Sequence, residues 1–213
     1  TIATQIVTAV TSSQYGGATV SMTHLAPFVR ESYNRYLELY RERKLSEEQC
    51  KQFAREDILK EIKDGVQTFQ YQVNSMTTTN GQAPFLSVCL YLGETEEYKE
   101  ELALIIEEVL KQRIQGMKNE KGVWITPAFP KLLYVLEEDN ISEGSKYWYL
   151  TKLAAECTAK RMVPDYISEK IMKQLKIDKN GNGNCYPCMG CRSFLTPYVD
   201  PKTNKPKYYG RFN

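Results

Sequence analysis

Apolar runs alternate with amphipathic helical segments along the chain, and this alternation constrains the fold more than any other feature. The runs at 83–92 and 131–136 are mainly apolar and follow a polar turn or a proline. Such runs are typical of strands buried on both faces, as in a parallel sheet covered by helices. The sequence therefore predicts an α/β fold, with parallel or mixed strands and helices outside the sheet.

The clearest helix begins at Ser46, which forms a predicted capping box with Gln49. Apolar residues then recur every three or four positions from Cys50 to Met76, a seam about 40 Å long. Two interpretations stay open: a long core helix, or an antiparallel pair with the preceding helix that packs on a partner chain. Further helices are predicted over 2–13, 25–43, 94–117, 146–161 and 165–175, and short strands over 18–23 and 122–125.

Charge and composition exclude several classes of function. The net charge of +2 gives no strong field for DNA, RNA or an anionic membrane. No apolar run is long enough for a transmembrane helix, and the first residues have no signal-peptide pattern. We therefore expect a cytoplasmic protein. His24, the single histidine, excludes His-rich zinc sites and HExxH motifs, and a structural role for it is favoured over a catalytic one.

The six cysteines fall into two groups. Cys50, Cys89 and Cys157 are isolated in apolar stretches, where a cysteine usually acts as a small buried hydrophobe. Cys185, Cys188 and Cys191 form C-x2-C-x2-C beside a glycine-rich loop. A metal site would need a fourth ligand from elsewhere, and the run lacks the fourth cysteine of ferredoxins. A metal or redox module and a single sulfur presented at a loop tip both remain open.

Five segments, in order along nearly the whole chain, resemble the anaerobic (class III) ribonucleoside-triphosphate reductases. Each segment alone is a weak signal, but five in the right order make a chance match implausible. The segments are Ser12-Ser13-Gln14-Tyr15-Gly16-Gly17, His24-Leu25-Ala26-Pro27-Phe28, Asn80-Gly81-Gln82-Ala83-Pro84-Phe85, Cys188-Met189-Gly190-Cys191-Arg192-Ser193-Phe194-Leu195 and Tyr209-Gly210-Arg211-Phe212-Asn213.

The resemblance implies a fold. These enzymes, like other glycyl-radical enzymes, have a ten-stranded α/β barrel with a finger loop threaded into its centre and long helices outside. We expect residues 1–213 to be a single partial domain, an excised part of that barrel. The long helices would lie at about 25–79 and the finger loop at about 178–195.

The resemblance also implies a reaction and its residues. A thiyl radical on Cys191 would take the 3′ hydrogen from a ribonucleoside triphosphate, and the 2′ hydroxyl would then leave as water. Asn213 matches the family's active-site Asn, whose amide can hydrogen-bond the ribose hydroxyls. Met189 matches a Met of the members that use formate as reductant. Ser13, Gln14 and His24 are placed near the substrate.

Cofactors and partners follow from the same resemblance. The thiyl radical would come from a glycyl radical, installed by a radical-SAM iron–sulfur activase, and both lie outside these residues, as does the family's zinc site. We expect no cofactor or metal on this chain, a homodimer formed through the long helices, and nucleotide effectors whose residues are not assigned. The chain alone is expected to be inactive. The alternative is a small metal- or redox-binding module built on Cys185, Cys188 and Cys191.

Overall fold

The structure is a computed structural model, and the statements below concern the residues that it describes. No helix in that part of the chain is long and apolar enough to cross a membrane. Residues are described at 5–6, 9–10, 13, 17–77, 81, 83–177, 181, 183 and 185, with the backbone alone at 188–189, 193–194, 196–199 and 206–210.

Strands and helices alternate from residue 17 to residue 175, as the sequence predicts. The strands are β1 (Gly17–Ser21), β2 (Phe85–Leu90), β3 (Met117–Lys118), β4 (Trp124–Ile125), β5 (Lys131–Leu136), β6 (Asp165–Ser168), β7 (Cys188–Met189), β8 (Ser193–Phe194), β9 (Thr196–Val199) and β10 (Pro206–Gly210). The α-helices are α1 (Ala26–Glu42), α2 (Glu47–Ser75), α3 (Lys99–Gln115), α4 (Glu138–Ile141), α5 (Trp148–Arg161) and α6 (Glu169–Leu175). Short 3-10 helices lie at Met22–Leu25 and Leu92–Glu94.

The main sheet has the strand order β1-β2-β5-β6, and all three pairings are parallel. Each crossover therefore steps to the next strand in the same direction across the sheet. Because parallel crossovers are right-handed, connections that all step one way place their helices on the same face. Such an arrangement leaves the second face of the sheet without these crossover helices.

The core confirms this division. Side chains of alternate strand residues, among them Leu86, Val88 and Tyr134, belong to the large cluster shared with α2, α3 and α5. We call this side the helix face. The intervening residues Cys89, Leu133, Val135 and Ile167 belong to a separate cluster, and they define what we call the second face.

Helix α2 confirms the predicted capping box and seam. Ser46 Oγ accepts a hydrogen bond from the Gln49 backbone N–H, while the Gln49 side chain accepts one from the Ser46 backbone N–H. The seam residues from Cys50 to Val73 are buried, where α2 lies against α1 and α3. This contact shows the core-helix role, and it leaves packing on a partner chain untested.

Two predicted segments differ from the structure, and one helix of the structure was not predicted. The helix predicted over 165–175 is β6 followed by α6, because Ile167 alone in that short strand is buried and the run has no apolar signature. The strand predicted to reach Thr23 ends at Ser21, whose side chain caps the 3-10 helix that follows. Helix α4 was missed because its four residues include a buried Asn and show no apolar residues at helical spacing.

The predicted finger loop contains two short strands. β7 and β8 pair antiparallel, with Cys188 opposite Phe194 and Met189 opposite Ser193. Cα atoms of β7 come within 8 Å of those of β1 and β2. The first strand of this hairpin therefore lies close to the first two strands of the main sheet. β9 and β10 also pair antiparallel, as do β3 and β4.

Candidate functional site

The carboxyl ends of the four parallel strands meet at one edge of the sheet, where α/β proteins commonly bind ligands. Polar side chains gather there. After β1, the hydroxyls of Ser21 and Thr23 both donate to Glu94, with Thr23 Oγ1 at 2.7 Å from Glu94 Oε2. These bonds join the end of β1 to the 3-10 helix that follows β2.

Glu137 follows β5 directly and is the most deeply buried acid at this edge, with 5% of its surface exposed. Its carboxyl group accepts hydrogen bonds from the backbone N–H groups of Leu92, at 3.0 Å, and Gly93, at 2.5 Å. Burial, reinforced by the negative charge of Asp139, raises the pKa of Glu137 to about 8, although the two N–H groups act in the opposite direction. Glu137 thus ties together the loops that follow two neighbouring strands.

The pKa of Glu169, which directly follows β6, is displaced in the opposite direction. Burial acts to raise its pKa, but hydrogen bonds from Lys173 and Tyr91 hold the pKa of Glu169 below its ordinary value. Tyr91 Oη donates to Glu169 Oε1 at 2.6 Å, and Lys173 Nζ lies 2.7 Å from the same oxygen. The two carboxyl groups at this edge therefore have pKa values displaced in opposite directions, that of Glu137 upward and that of Glu169 downward.

Gly93 allows the two carboxyl groups to approach. A Cβ at this position would lie 2.5 Å from Glu137 Oε1, 3.2 Å from Glu169 Oε1 and 2.9 Å from the Tyr91 ring. Only a residue without a side chain fits there without displacing its neighbours. The edge is therefore a closely packed polar network with a glycine at its centre.

The second face of the sheet lies next to this network, and two cysteine thiols belong to its cluster among the described residues. Cys89 is buried in that face, and Cys185 is half-buried against the same cluster. Ser87 precedes Cys89 by two positions, so its side chain points to the same face. The Ser87 hydroxyl is 1% exposed and has no hydrogen-bond partner among the described residues.

Comparison with known proteins identifies the family. The family model described as anaerobic ribonucleoside-triphosphate reductase matches residues 1–213. The chain belongs to this reductase family. The anaerobic ribonucleoside-triphosphate reductase of Enterobacteria phage T4 is 33% identical over 209 residues, which are 96% of this chain and 32% of the phage protein.

Bacterial reductases of the same name give similar values. The protein of Escherichia coli K12 is 36% identical over 203 residues, which are 91% of this chain and 26% of the relative. That of Haemophilus influenzae is 34% identical over 204 residues, which are 93% of this chain and 26% of the relative. The chain thus spans about a quarter to a third of the length of these curated relatives, and the family is one of oxidoreductases.

The site residues implied by the reductase resemblance are only partly within the described chain. Gln14, Cys191 and Asn213 lie outside the described residues, and Met189 is described in its backbone alone, as the second residue of β7. Ser13 is helical and exposed, and its Oγ donates to the Val10 carbonyl at 2.8 Å. His24 is exposed in the 3-10 helix after β1. The structure therefore does not bring these residues together into one described site.

The described residues also include only part of the predicted metal site. Within the described ranges, no group of three His, Cys, Asp or Glu side chains could hold a metal ion. Cys191 and the side chain of Cys188 lie outside those ranges, so the metal-module hypothesis built on Cys185, Cys188 and Cys191 stays untested.

Sequence reasoning missed the polar network at the carboxyl edge. Glu137 directly follows a predicted buried strand, so the rule that functional side chains follow parallel strands would have selected it. Tyr91 lies inside the apolar run over 83–92, and only the structure, in which β2 ends at Leu90, places it just after a strand. The rule could not select Glu169, because the sequence predicts a helix where the structure has β6.

Proposed function

We propose that this chain forms part of the catalytic barrel of an anaerobic ribonucleoside-triphosphate reductase. The complete enzyme converts ribonucleoside triphosphates to deoxyribonucleoside triphosphates by thiyl and glycyl radical chemistry. The observation that carries the proposal is the β7–β8 hairpin, whose strands flank Cys191 and whose β7 backbone lies close to β1 and β2. A parallel sheet with helices on one face supports the barrel, since its second face needs a further layer.

In the proposed reaction, the Cys191 thiyl radical takes the 3′ hydrogen of the ribose, and the 2′ hydroxyl leaves as water. The Asn213 amide hydrogen-bonds the ribose hydroxyls, and Met189 belongs to a site for formate, the reductant. Thiyl chemistry needs a sulfur shielded from water and does not depend on a lowered thiol pKa. The second face is buried and mainly apolar among the described residues, and surroundings of this kind would suit such a sulfur.

Ser13, Gln14 and His24 are proposed to lie near the substrate. The position of His24 supports this assignment, because it is exposed immediately beyond β1, at the edge where the polar network gathers. The radical itself reaches Cys191 from a glycyl radical on another part of the enzyme. A radical-SAM iron–sulfur activase installs that radical, and nucleotide effectors set the substrate choice.

We also propose that the enzyme is a homodimer that pairs through α1 and α2. Four large hydrophobic side chains on these helices are exposed, Phe28 by 62%, Leu39 by 40%, Leu59 by 42% and Tyr71 by 65%. Exposed apolar side chains on a helix pair are consistent with a protein interface. Sedimentation of the chain should show self-association that Phe28→Lys weakens and Glu31→Lys, at a neighbouring exposed position, does not. A clean monomer at high concentration would contradict the dimer.

Turnover of the complete reductase tests the catalytic assignment. Under anaerobic conditions with activase and formate, Cys191→Ser should abolish deoxyribonucleotide formation while nucleotide binding stays within about twofold of wild type. Cys157→Ser is the matched control, because Cys157 is buried in the helix-face cluster, and this variant should retain turnover. The 213-residue chain alone should show none. Turnover by the Cys191→Ser enzyme would refute the proposal.

A further inference from the structure

A cleft of about 280 Å³ lies between the second half of α2, the end of α3 and the β3–β4 hairpin. No step of the proposed reaction uses it. Four glutamines line this cleft, and we call it the amide cleft: Gln67, Gln70, Gln112 and Gln115. Its lining also has two lysines, Lys63 and Lys118, and two aromatic side chains, Tyr71 and Trp124. None of the described residues that line it is acidic.

The shape of the amide cleft is fixed by contacts between the hairpin and the helix ends. A Cβ at Gly116 would lie 2.5 Å from the Ile125 carbonyl oxygen, so the hairpin packs directly against the end of α3. Arg161, the last residue of α5, donates to the Gln115 carbonyl at 2.8 Å and to Thr126 Oγ1 at 3.0 Å. A site that is already formed loses less free energy to ordering when a ligand binds.

The amide groups of the cleft have hydrogen-bonding capacity that the described residues do not use. Gln70 is 5% exposed, yet its side-chain amide makes no hydrogen bond to another described residue. Gln112 Nε2 donates to the Lys63 carbonyl at 2.8 Å and to Glu108 Oε1 at 2.7 Å, which leaves Gln112 Oε1 as an acceptor. Each amide offers both a donor and an acceptor, as a peptide group does. A ligand that binds the buried Gln70 amide would recover its cost of desolvation.

The charge of the cleft is positive. Lys118 Nζ lies 5.2 Å from the centroid of the Trp124 ring, the residue opposite it in the hairpin. Neither Lys118 nor Lys63 forms an ion pair with a described acid. Because the ammonium groups are not neutralised, they favour a ligand that carries carboxylates.

The surface beside the cleft is suited to a polypeptide. The hairpin residues Val123, Trp124 and Ile125 are exposed by 57%, 46% and 44%, and Tyr71 on α2 is exposed by 65%. Neighbouring exposed apolar side chains of this kind mark interaction sites. Among the described residues β3 and β4 pair only with each other, so their outer edges can pair with an extended segment. Two lysines would offset only part of the charge of a nucleoside triphosphate, which favours a peptide over a nucleotide.

We propose that the amide cleft binds an acidic segment of a partner protein in an extended conformation. The carboxylates of the segment lie beside Lys63 and Lys118, and its backbone binds the glutamine amides. An apolar side chain of the segment packs against Tyr71 and Trp124. This inference does not rest on the proposed reductase reaction, because binding is measured on the chain itself.

NMR titration tests the proposal, because the two tryptophans of the chain give two indole N–H signals. Trp124→Phe assigns the signal of Trp124, and the other belongs to Trp148. The probe is the end-blocked peptide Glu-Glu-Phe-Glu-Glu, with Gln-Gln-Phe-Gln-Gln and Glu-Glu-Ala-Glu-Glu as controls. We expect a saturable shift of the Trp124 signal with the first peptide, a weaker effect with the controls, and no change at Trp148.

Three results would overturn the proposal. They are equal shifts with the acidic and neutral peptides, a Trp124 shift with ATP but not with the acidic peptide, and a Trp124 shift that follows chain concentration alone. The last would assign the cleft to a second copy of the chain. The titration is repeated on Phe28→Lys, in which the proposed dimer is weakened, and the peptide affinity should be the same.

Matched variants test the roles of the lysines and of the buried amide. Lys63→Gln and Lys118→Gln should each weaken peptide binding by about twofold to fivefold, whereas Lys60→Gln, at an exposed position of α2 outside the cleft, should not. Gln70→Met keeps a side chain of similar length without the amide, so it should weaken binding while the free energy of unfolding is unchanged or higher. Wild-type affinity in both lysine variants, or a Gln70→Met chain that is less stable but binds the peptide normally, would overturn the proposal.

Discussion

Glu137 makes the stability of the fold depend on pH, and the structure fixes the sign of this dependence. The pKa of Glu137 is raised from 4.5 to about 8 in the folded chain, chiefly by burial. The folded state therefore binds the Glu137 proton more tightly than the unfolded state does. As pH rises from the unfolded pKa to the folded pKa, the contribution of Glu137 to the free energy of unfolding falls.

The size of this contribution follows from the pKa difference. At about 1.4 kcal/mol per pKa unit, the full difference corresponds to a ceiling of about 5 kcal/mol. The Leu92 and Gly93 N–H groups favour the carboxylate, and their opposing effect is already part of that pKa. The interval from about pH 5 to about pH 8 does not cover the whole titration, so the measured fall is smaller than the ceiling. We expect a fall of about 2–4 kcal/mol from Glu137 between about pH 5 and about pH 8.

Urea unfolding at these two pH values measures the effect. Glu137→Gln removes the titration and should flatten the pH dependence by that amount, even though its amide loses one hydrogen bond from the loop and lowers stability at every pH. Glu138→Gln is the matched control, because Glu138 is the adjacent exposed acid, and it should keep the wild-type slope. A Glu137→Gln chain with an unchanged slope would refute the argument that burial of this carboxyl dominates.

Three further substitutions test the packing by urea unfolding. Arg113→Ala should lower the free energy of unfolding by about 3–5 kcal/mol, because Arg113 is 1% exposed and donates hydrogen bonds to the Pro127 and Pro130 carbonyls. Both carbonyls would lose this partner. A loss under about 1 kcal/mol would contradict this reasoning. Gly93→Ala should cost about 1–3 kcal/mol through the clash with Glu137, whereas Gly65→Ala, with open space around its Cβ, should be neutral or stabilising. Ser87→Ala should stabilise by up to about 1 kcal/mol, since it removes a buried hydroxyl without a partner among the described residues; destabilisation would indicate a partner.

The sequence predicted those elements whose physical signal is local. The apolar runs of β2 and β5 and the Ser46 capping box of α2 are set by residues that lie next to each other in the chain, and all three are confirmed. β6 was missed because its burial comes from pairing with β5, a contact between distant residues. A short edge strand with one buried apolar side chain leaves no periodicity to detect.

The candidate site likewise has some features that the sequence predicts and others that only the structure shows. The burial of Cys50, Cys89 and Cys157 follows from their apolar neighbours in the sequence, and the structure confirms it. The convergence of Glu137 and Glu169 over Gly93 depends on the order of the strands in the sheet, which the sequence alone does not specify. Cys191 and Asn213 lie outside the described residues, so their roles stay predictions from the family resemblance.

Transfer of the 3′ hydrogen of the substrate tests the central claim most directly. A ribonucleoside triphosphate deuterated at the 3′ position would be incubated with the complete, activated reductase, and its deuterium content followed by mass spectrometry. The account predicts exchange or transfer of the label with wild-type enzyme and with Cys185→Ser, and none with Cys191→Ser. Label transfer that survives in Cys191→Ser would contradict the assignment of Cys191 as the thiyl residue.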